Sequence, residues 1–427
     1  MAFKQNYNLV EELEWRGLLH DKTPEVEKQL STELTTGYIG FDPTADSLHI
    51  GNLVPVILLM HLQKAGHKPI ALVGGATGMV GDPSGKSDER NMLDLDVLNM
   101  NLAGQKAQLE KFLDFNSGEN AAEIANNYDW FKDYNFLDFI RDVGKHISVN
   151  YMMAKDSVQN RLKTGLSFTE FSYQLVQGYD FCHLYKEKNC KLQMGGSDQW
   201  GNIVTGTELV RRKLQGSAFA ITAPLITKAD GSKFGKSEGG NVWLDKSKTS
   251  VYKFYQFWLN TSDEDAEKYI KIFTFKDKET INTLIEEHKT NPGRRALQKE
   301  LAKEVTCLVH SKEEYDTALE ASNILFGKAT SATLAKLSEE DFVDIFNNVP
   351  QKEIPQIAGK NIIELLASET GFLASNGEAK RDLKGNAISV NKDKVTDEFV
   401  AKESDLIAGK YLLLQKGKKN YFIVKKG

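Results

Sequence analysis

Leu34 to Phe41 (LTTGYIGF) leads into Asp42-Pro43-Thr44-Ala45-Asp46-Ser47-Leu48-His49-Ile50-Gly51-Asn52, then an apolar run from Leu53 to Leu62, then Lys68 to Gly74 (KPIALVG). The first stretch predicts a strand, residues 53–65 a helix, and 68–74 a second strand. That second strand is apolar almost throughout, as a strand covered on both faces of a parallel sheet requires. Strand, helix, strand and the glycine-rich turn Gly74-Gly75-Ala76-Thr77-Gly78 open a doubly wound, Rossmann-like α/β domain. Residues 97–143 read as a helical insertion, and strands are predicted again at 146–149, 191–195 and 219–223.

Working outward, 427 residues exceed one ordinary core. The α/β domain is expected over 1–247 and an all-helical domain over 248–326. A linker with Pro350 and Pro355 is expected over 327–360, and a small α+β unit over 361–427. From Lys360 to Gly427 there are 13 Lys/Arg against 9 Asp/Glu, a net of +4, whereas the rest of the chain carries −9. The acidic body excludes a protein that coats nucleic acid along its whole surface, and no role on DNA is expected. The basic end points to a polyanionic partner. Three cysteines without Cys-x-x-Cys spacing exclude a disulfide framework and a structural zinc. No His/Cys/carboxylate cluster suggests a protein-held metal. The N-terminus lacks the apolar core of a signal peptide, and the longest apolar run is half of the ~20 residues a membrane span needs. A cytoplasmic protein with no membrane partner is expected.

The 40–52 stretch leaves a strand and enters a helix. A helix N-terminus presents unpaired N–H groups and partial positive charge, which suits a phosphate. Gly51 allows close approach of a ring or backbone, and His49 and Thr44 add donors where an oxyanion would sit. Far downstream, Lys233-Phe234-Gly235-Lys236-Ser237 sets two lysines around a glycine as a mobile cationic clamp. Gly85-Lys86-Ser87 is not a phosphate loop, because the glycine required five residues earlier is Val80. Tyr173, Gln177 and Asp180 fall on one helix face, a polar stripe without Lys or Glu that suits a buried pocket. Gly195-Gly196-Ser197-Asp198-Gln199-Trp200 joins a strand end to a helix, where a doubly wound fold places ligands.

His49-Ile50-Gly51-Asn52 and Lys233-Phe234-Gly235-Lys236-Ser237 resemble the two signatures of class I aminoacyl-tRNA synthetases, which close on ATP. Tyr38-Ile39-Gly40-Phe41-Asp42-Pro43, Gly81-Asp82-Pro83-Ser84-Gly85-Lys86, Gln177-Gly178-Tyr179-Asp180 and the Gly195–Trp200 stretch are similar to bacterial tyrosyl-tRNA synthetases. The resemblance covers nearly the whole chain. It implies activation of L-tyrosine by ATP, entering with Mg²⁺ on its phosphates, followed by transfer to the tRNA for tyrosine by a homodimer. By that resemblance Tyr38 and Asp180 hold the phenol hydroxyl, Tyr173, Gln177 and Asp82 the ammonium, and Gln193 lines the amino-acid pocket. Gly40, Asp42, Gly51, Gly196 and Asp198 face the nucleotide. Thr44, His49, Asn52, Lys233, Lys236 and Ser237 serve the phosphates, while Lys86 and Arg90 lie on a loop near the pyrophosphate and the acceptor end.

Two positions depart from the family's pattern. Asn52 stands where His is frequent, and Ile39 where Cys is frequent, so one weak ribose contact is absent. Residues 374–391 resemble a small RNA-binding module shared with ribosomal proteins, with Lys416, Lys418 and Lys419 as phosphate contacts. Two alternatives remain open from the residues alone: a synthetase for tryptophan, and a synthetase-like RNA-binding protein without catalysis. Tyr38 with Asp180 favours a phenol over an indole, because a phenol both donates and accepts. The retained His49, Lys233 and Lys236 favour catalysis.

Overall fold

Six strands form the main sheet: β1 (Asp21–Lys22), β2 (Thr36–Phe41), β3 (Lys68–Val73), β4 (Glu123–Asn126), β5 (Cys190–Gly196) and β6 (Phe219–Ala223), in the order β1-β6-β5-β2-β3-β4. All neighbours run parallel except β1, which pairs antiparallel with β6. The computed structural model describes residues 5–427 except 83, 85–93, 163–164, 233, 238–239, 326–329, 347–348 and 418–419, and gives the backbone alone at 236–237 and 324–325. The chain crosses from β2 to β3 through the Leu53–Lys64 helix and later returns to lay β5 on the other side of β2. Strand order therefore reverses between β2 and β5, and the crevice at their carboxyl ends is the ligand position of a doubly wound sheet.

The sequence explains this packing. β3 is buried from Pro69 to Val73, and the Leu53–Lys64 helix buries Val54, Val56, Ile57, Leu58, Leu59 and Leu62. Each such side chain contributes roughly 1.5–3 kcal/mol of burial. The Phe168–Lys188 helix starts at a Ser167/Glu170 capping box and stops at Asn189, whose φ of 48° is left-handed.

The strand expected at 146–149 does not form. Gly144–His146 is a 3₁₀ turn, and Ser148 caps the Val149–Met153 helix by accepting the Tyr151 N–H at 3.3 Å. The sheet instead gains an edge strand, β4, inside the stretch expected to be helical throughout.

Contacts divide the chain into two compact units, Met1–Leu244 with Ser262–Leu297, and Asp245–Thr261 with Gln298–Gly427. The break after Leu244 lies close to the boundary expected at 247, while Ser262–Leu297 groups with the sheet unit. The Asp263–Phe273 helix belongs to the sheet unit because Arg16, only 3% exposed, donates at 2.7 Å to the carbonyls of Lys271, Thr274 and Lys276.

The second unit contains β9 (Gln351–Ile354), β10 (Ile388–Val390), β11 (Asp393–Lys394), β12 (Tyr411–Lys416) and β13 (Asn420–Lys426), ordered β11-β10-β12-β13-β9. Within the stretch expected as a linker, Leu334, Phe342 and Phe346 pack with Leu413 and Ile423, and β9 pairs parallel with β13. The Ile362–Leu366 and Asn376–Lys384 helices are the helical part of the α+β unit expected over 361–427. Among the described residues no helix is long and apolar enough to cross a membrane.

Candidate active site

A cavity of about 610 Å³ opens at the strand-order reversal, lined by the ends of β2 and β5, the start of the Leu53–Lys64 helix and one face of the Phe168–Lys188 helix. Tyr38, Gly40, Asp42, Thr44, His49, Gly51, Asn52, Asp82, Tyr173, Gln177, Asp180, Gln193, Gly196 and Asp198, all named from sequence, line it. The i, i+4, i+7 stripe of Tyr173, Gln177 and Asp180 thus faces one space. Lys86, Arg90 and Lys233 lie outside the described residues, as do the side chains of Lys236 and Ser237.

Asp180 is 1% exposed. Its Oδ1 accepts the Trp130 indole N–H at 2.9 Å and its Oδ2 the Asn127 amide at 3.0 Å. Burial pushes its carboxyl up to about 8, the two donors opposing that shift and the Asp42 charge adding to it. Tyr38 is fully buried, edge-on to Phe181 with ring centroids 5.4 Å apart. Burial first, and then the Asp180 charge, raise its phenol far above the usual range. Its hydroxyl has no hydrogen-bond partner among the described residues, nor has the Gln193 carbonyl oxygen. A buried polar end with unmatched groups selects a ligand that completes them.

Asn127 and Trp130 were not legible in the sequence. They follow β4, some 50 residues from Asp180, and only the edge strand brings them there.

A second polar group sits nearer the strand ends. Asp42 accepts from the Tyr173 hydroxyl at 3.0 Å and from the Thr77 hydroxyl at 2.9 Å. Gly74 allows this, since a Cβ there would lie 2.4 Å from Thr77 Oγ1 and 2.5 Å from Asp42 Oδ1. Gln199 donates to Asp82 at 2.8 Å and to Asp198 at 3.1 Å, tying the two glycine-rich turns together. These carboxylates give this part of the cavity a cation-binding character.

At the helix start, His49 Nδ1 accepts the Gly51 N–H at 3.0 Å, and Asn52 Oδ1 accepts the His49 N–H at 3.0 Å. Nδ1 as acceptor puts the ring proton on Nε2, and burial lowers the imidazole pKa, so His49 is a neutral donor. Asn52 spends its carbonyl on this cap, leaving its NH₂ group for any ligand. At the end of the downstream signature β7 (Lys236–Ser237) pairs antiparallel with β8 (Gly240–Asn241), and the residues after β8 lie on this turn. Ile50 N–H donates to the Val242 carbonyl and Leu244 N–H to the Leu48 carbonyl, both at 2.9 Å. Phe234 stacks on Phe273 at 5.2 Å and meets Tyr269 edge-on at 5.0 Å. The two signatures, nearly 200 residues apart, share one wall.

In the C-terminal unit, Lys416 is held by Glu378 at 2.8 Å and Asp382 at 2.7 Å, so it does not stand free for a phosphate as expected. Lys418 and Lys419 lie outside the described residues. Lys380, Arg381 and Lys384 are the exposed cations of the Asn376–Lys384 helix.

Residues 30–327 match the family model of class I tRNA synthetases for tryptophan and tyrosine, and residues 341–424 match that of the SYY-like C-terminal domain of tyrosine–tRNA ligase. The tyrosine–tRNA ligase of Flavobacterium psychrophilum is 65% identical over 426 residues, 98% of this chain and 99% of that one. The chain belongs to the tyrosine–tRNA ligase family. Its reaction is the family's, the ATP-dependent joining of tyrosine to tRNA, and the tryptophan and non-catalytic alternatives do not hold. The ligase of Bacteroides thetaiotaomicron is 59% identical with the same coverage. A C-terminally truncated mitochondrial tyrosyl-tRNA synthetase of Aspergillus nidulans superposes with a TM-score of 0.69 at 32% identity, over 75% of this chain and 95% of that one.

Proposed function

We propose that tyrosine lies with its phenol at the closed end of the cavity and its carboxylate toward the helix start. The phenol donates to Asp180 and accepts from the Tyr38 hydroxyl. Asp180 is the observation that carries this reading: a wholly buried carboxylate, fixed by two donors, facing the cavity. The ammonium sits among Tyr173, Gln177 and Asp82, with Gln193 along the ring. MgATP enters at the strand ends, its ribose and adenine beside Gly40, Asp42, Gly51, Gly196 and Asp198.

A tyrosine carboxylate oxygen then attacks the α-phosphorus. The bond from that phosphorus to the bridging oxygen breaks, and pyrophosphate leaves with the electron pair. The carboxylate is already ionised, so no protein base is needed. Positioning and charge neutralisation supply the catalysis. His49 through Nε2–H, Thr44 through its hydroxyl, Asn52 through its amide, and Lys233, Lys236 and Ser237 serve the phosphates. In the second step a terminal ribose hydroxyl of the tRNA attacks the tyrosyl carbonyl and AMP departs. The C-terminal unit holds the tRNA, and the working form is a cytoplasmic homodimer.

Rapid-quench measurement of tyrosyl-adenylate formation by Lys233→Ala and Lys236→Ala tests the phosphate half. Loss of one charge-assisted donor is expected to slow the step ~10²–10³-fold with tyrosine affinity retained. Rates within twofold of the parent would refute it.

A further inference from the structure

The turn from Asp42 to His49 carries three of the residues assigned to the nucleotide, yet it forms no helix or ladder of its own. Its backbone groups need partners from elsewhere. One face of the Leu95–Phe112 helix supplies four of them. Asn101 Nδ2 donates to the Pro43 carbonyl at 2.9 Å. Gln105 Nε2 donates to the Ala45 carbonyl at 3.0 Å and the Asp42 carbonyl at 3.3 Å. Gln108 Oε1 accepts the Leu48 N–H at 2.7 Å, and its Nε2 donates to Ser47 Oγ at 3.0 Å.

The three amides stand at i, i+4 and i+7, one face of the helix. They are 3%, 2% and 8% exposed. Between them Gly104 lets the helix lie directly on the turn, since a Cβ there would come within 2.0 Å of the Asp46 carbonyl oxygen. Apolar side chains would fill a purely packed face at lower desolvation cost. Three amides there indicate that the face is built to grip backbone.

We propose that Asn101, Gln105 and Gln108 are positioning residues for adenylate formation, holding the Asp42–His49 turn so that Thr44 and His49 meet the phosphates. The inference rests on the assignment of Thr44 and His49 to the phosphates. None of the three amides need touch substrate; they act through the turn. A shift of the turn by about an ångström can cost ~10²-fold in rate even when the change lies away from the chemistry.

The test is a double-mutant cycle on the full-length protein, read by rapid-quench adenylate formation, equilibrium binding of tyrosine, and thermal unfolding. Gln105→Met keeps the length of the side chain and removes the donor from two carbonyls. It should slow adenylate formation ~10–100-fold while tyrosine affinity stays within about twofold. In a Thr44→Ala/His49→Ala background the same change should cost less than about twofold, because the groups it positions are gone. Equal costs in both backgrounds, an unchanged rate, or a parallel loss of tyrosine affinity would each overturn the proposal. A parent-like rate in Thr44→Ala/His49→Ala alone would instead overturn the phosphate assignment on which it rests. Should Gln105→Met fail to fold, Asn101→Leu, which releases a single carbonyl, enters the same cycle with the same outcomes.

Discussion

Replacing Asp180 by Asn should change how stability depends on pH. In the unfolded chain this carboxyl titrates near 3.8, and in the folded protein burial pushes it up to about 8. Between those values the folded protein holds a proton that the unfolded chain has released. Stability from this group therefore falls as pH rises, by about 1.4 kcal/mol per pH unit. Below pH 4 the carboxyl is neutral in both states and the penalty vanishes; above pH 8 the penalty is complete. From pH 5 to pH 7 the parent should lose roughly 3 kcal/mol relative to Asp180→Asn, which has no such proton. That corresponds to ~5–10 °C in the unfolding midpoint of the sheet unit. Asn cannot accept from both Trp130 and Asn127, so the variant starts lower, by about 1–3 kcal/mol at pH 5. Thermal unfolding of both proteins from pH 5 to 8 gives the difference, in which groups common to both cancel. Saturating tyrosine should flatten the parent's slope, because a phenol donating to Asp180 favours its charged form. A parent-minus-variant difference constant to within about 0.5 kcal/mol across this range would refute the burial argument.

Tyr38→Phe removes a buried hydroxyl that lacks a partner among the described residues. It should leave the unfolding midpoint equal or higher and cut the preference for tyrosine over phenylalanine roughly 3–10-fold in pyrophosphate exchange. Phe234→Ala removes the ring resting on Tyr269 and Phe273. Adenylate formation should slow ~10-fold in rapid quench with tyrosine affinity unchanged, since the lost contact positions the lysine signature. Joint replacement of Lys380, Arg381 and Lys384 by Ala should weaken tRNA binding and lower its salt-dependence slope by about 3, leaving pyrophosphate exchange untouched.

The sheet was legible where the chain is strongly patterned. Lys68–Val73 reads as a doubly covered strand because it is apolar almost throughout, and it is one. β4 escaped because a four-residue, half-buried edge strand carries no such run. At 146–149 the expected strand gives way to a helix start, because the Ser148 side chain caps Val149–Met153. The site's stripe of Tyr173, Gln177 and Asp180 was legible from helical spacing. The Trp130 and Asn127 clamp and the Asn101, Gln105 and Gln108 ladder were not, because their partners lie 50 to 63 positions away and only tertiary structure joins them. The grouping of Ser262–Leu297 with the sheet unit escaped for a similar reason. The Asp263–Phe273 helix looks like its helical neighbours in sequence, yet Arg16 fastens it to the sheet unit.

On the proposed reading, the Asp180 end of the cavity chooses the amino acid. ATP–pyrophosphate exchange with tyrosine, phenylalanine and tryptophan, run side by side on the parent and on Asp180→Asn, tests it most directly. The parent should activate tyrosine far better than either competitor. Asp180→Asn should lose ~10–100-fold of the preference over phenylalanine, the cost of about 1–3 kcal/mol for a mismatched buried hydrogen bond. A variant that kept the parent's full preference for tyrosine would show that selection happens elsewhere and would contradict the account.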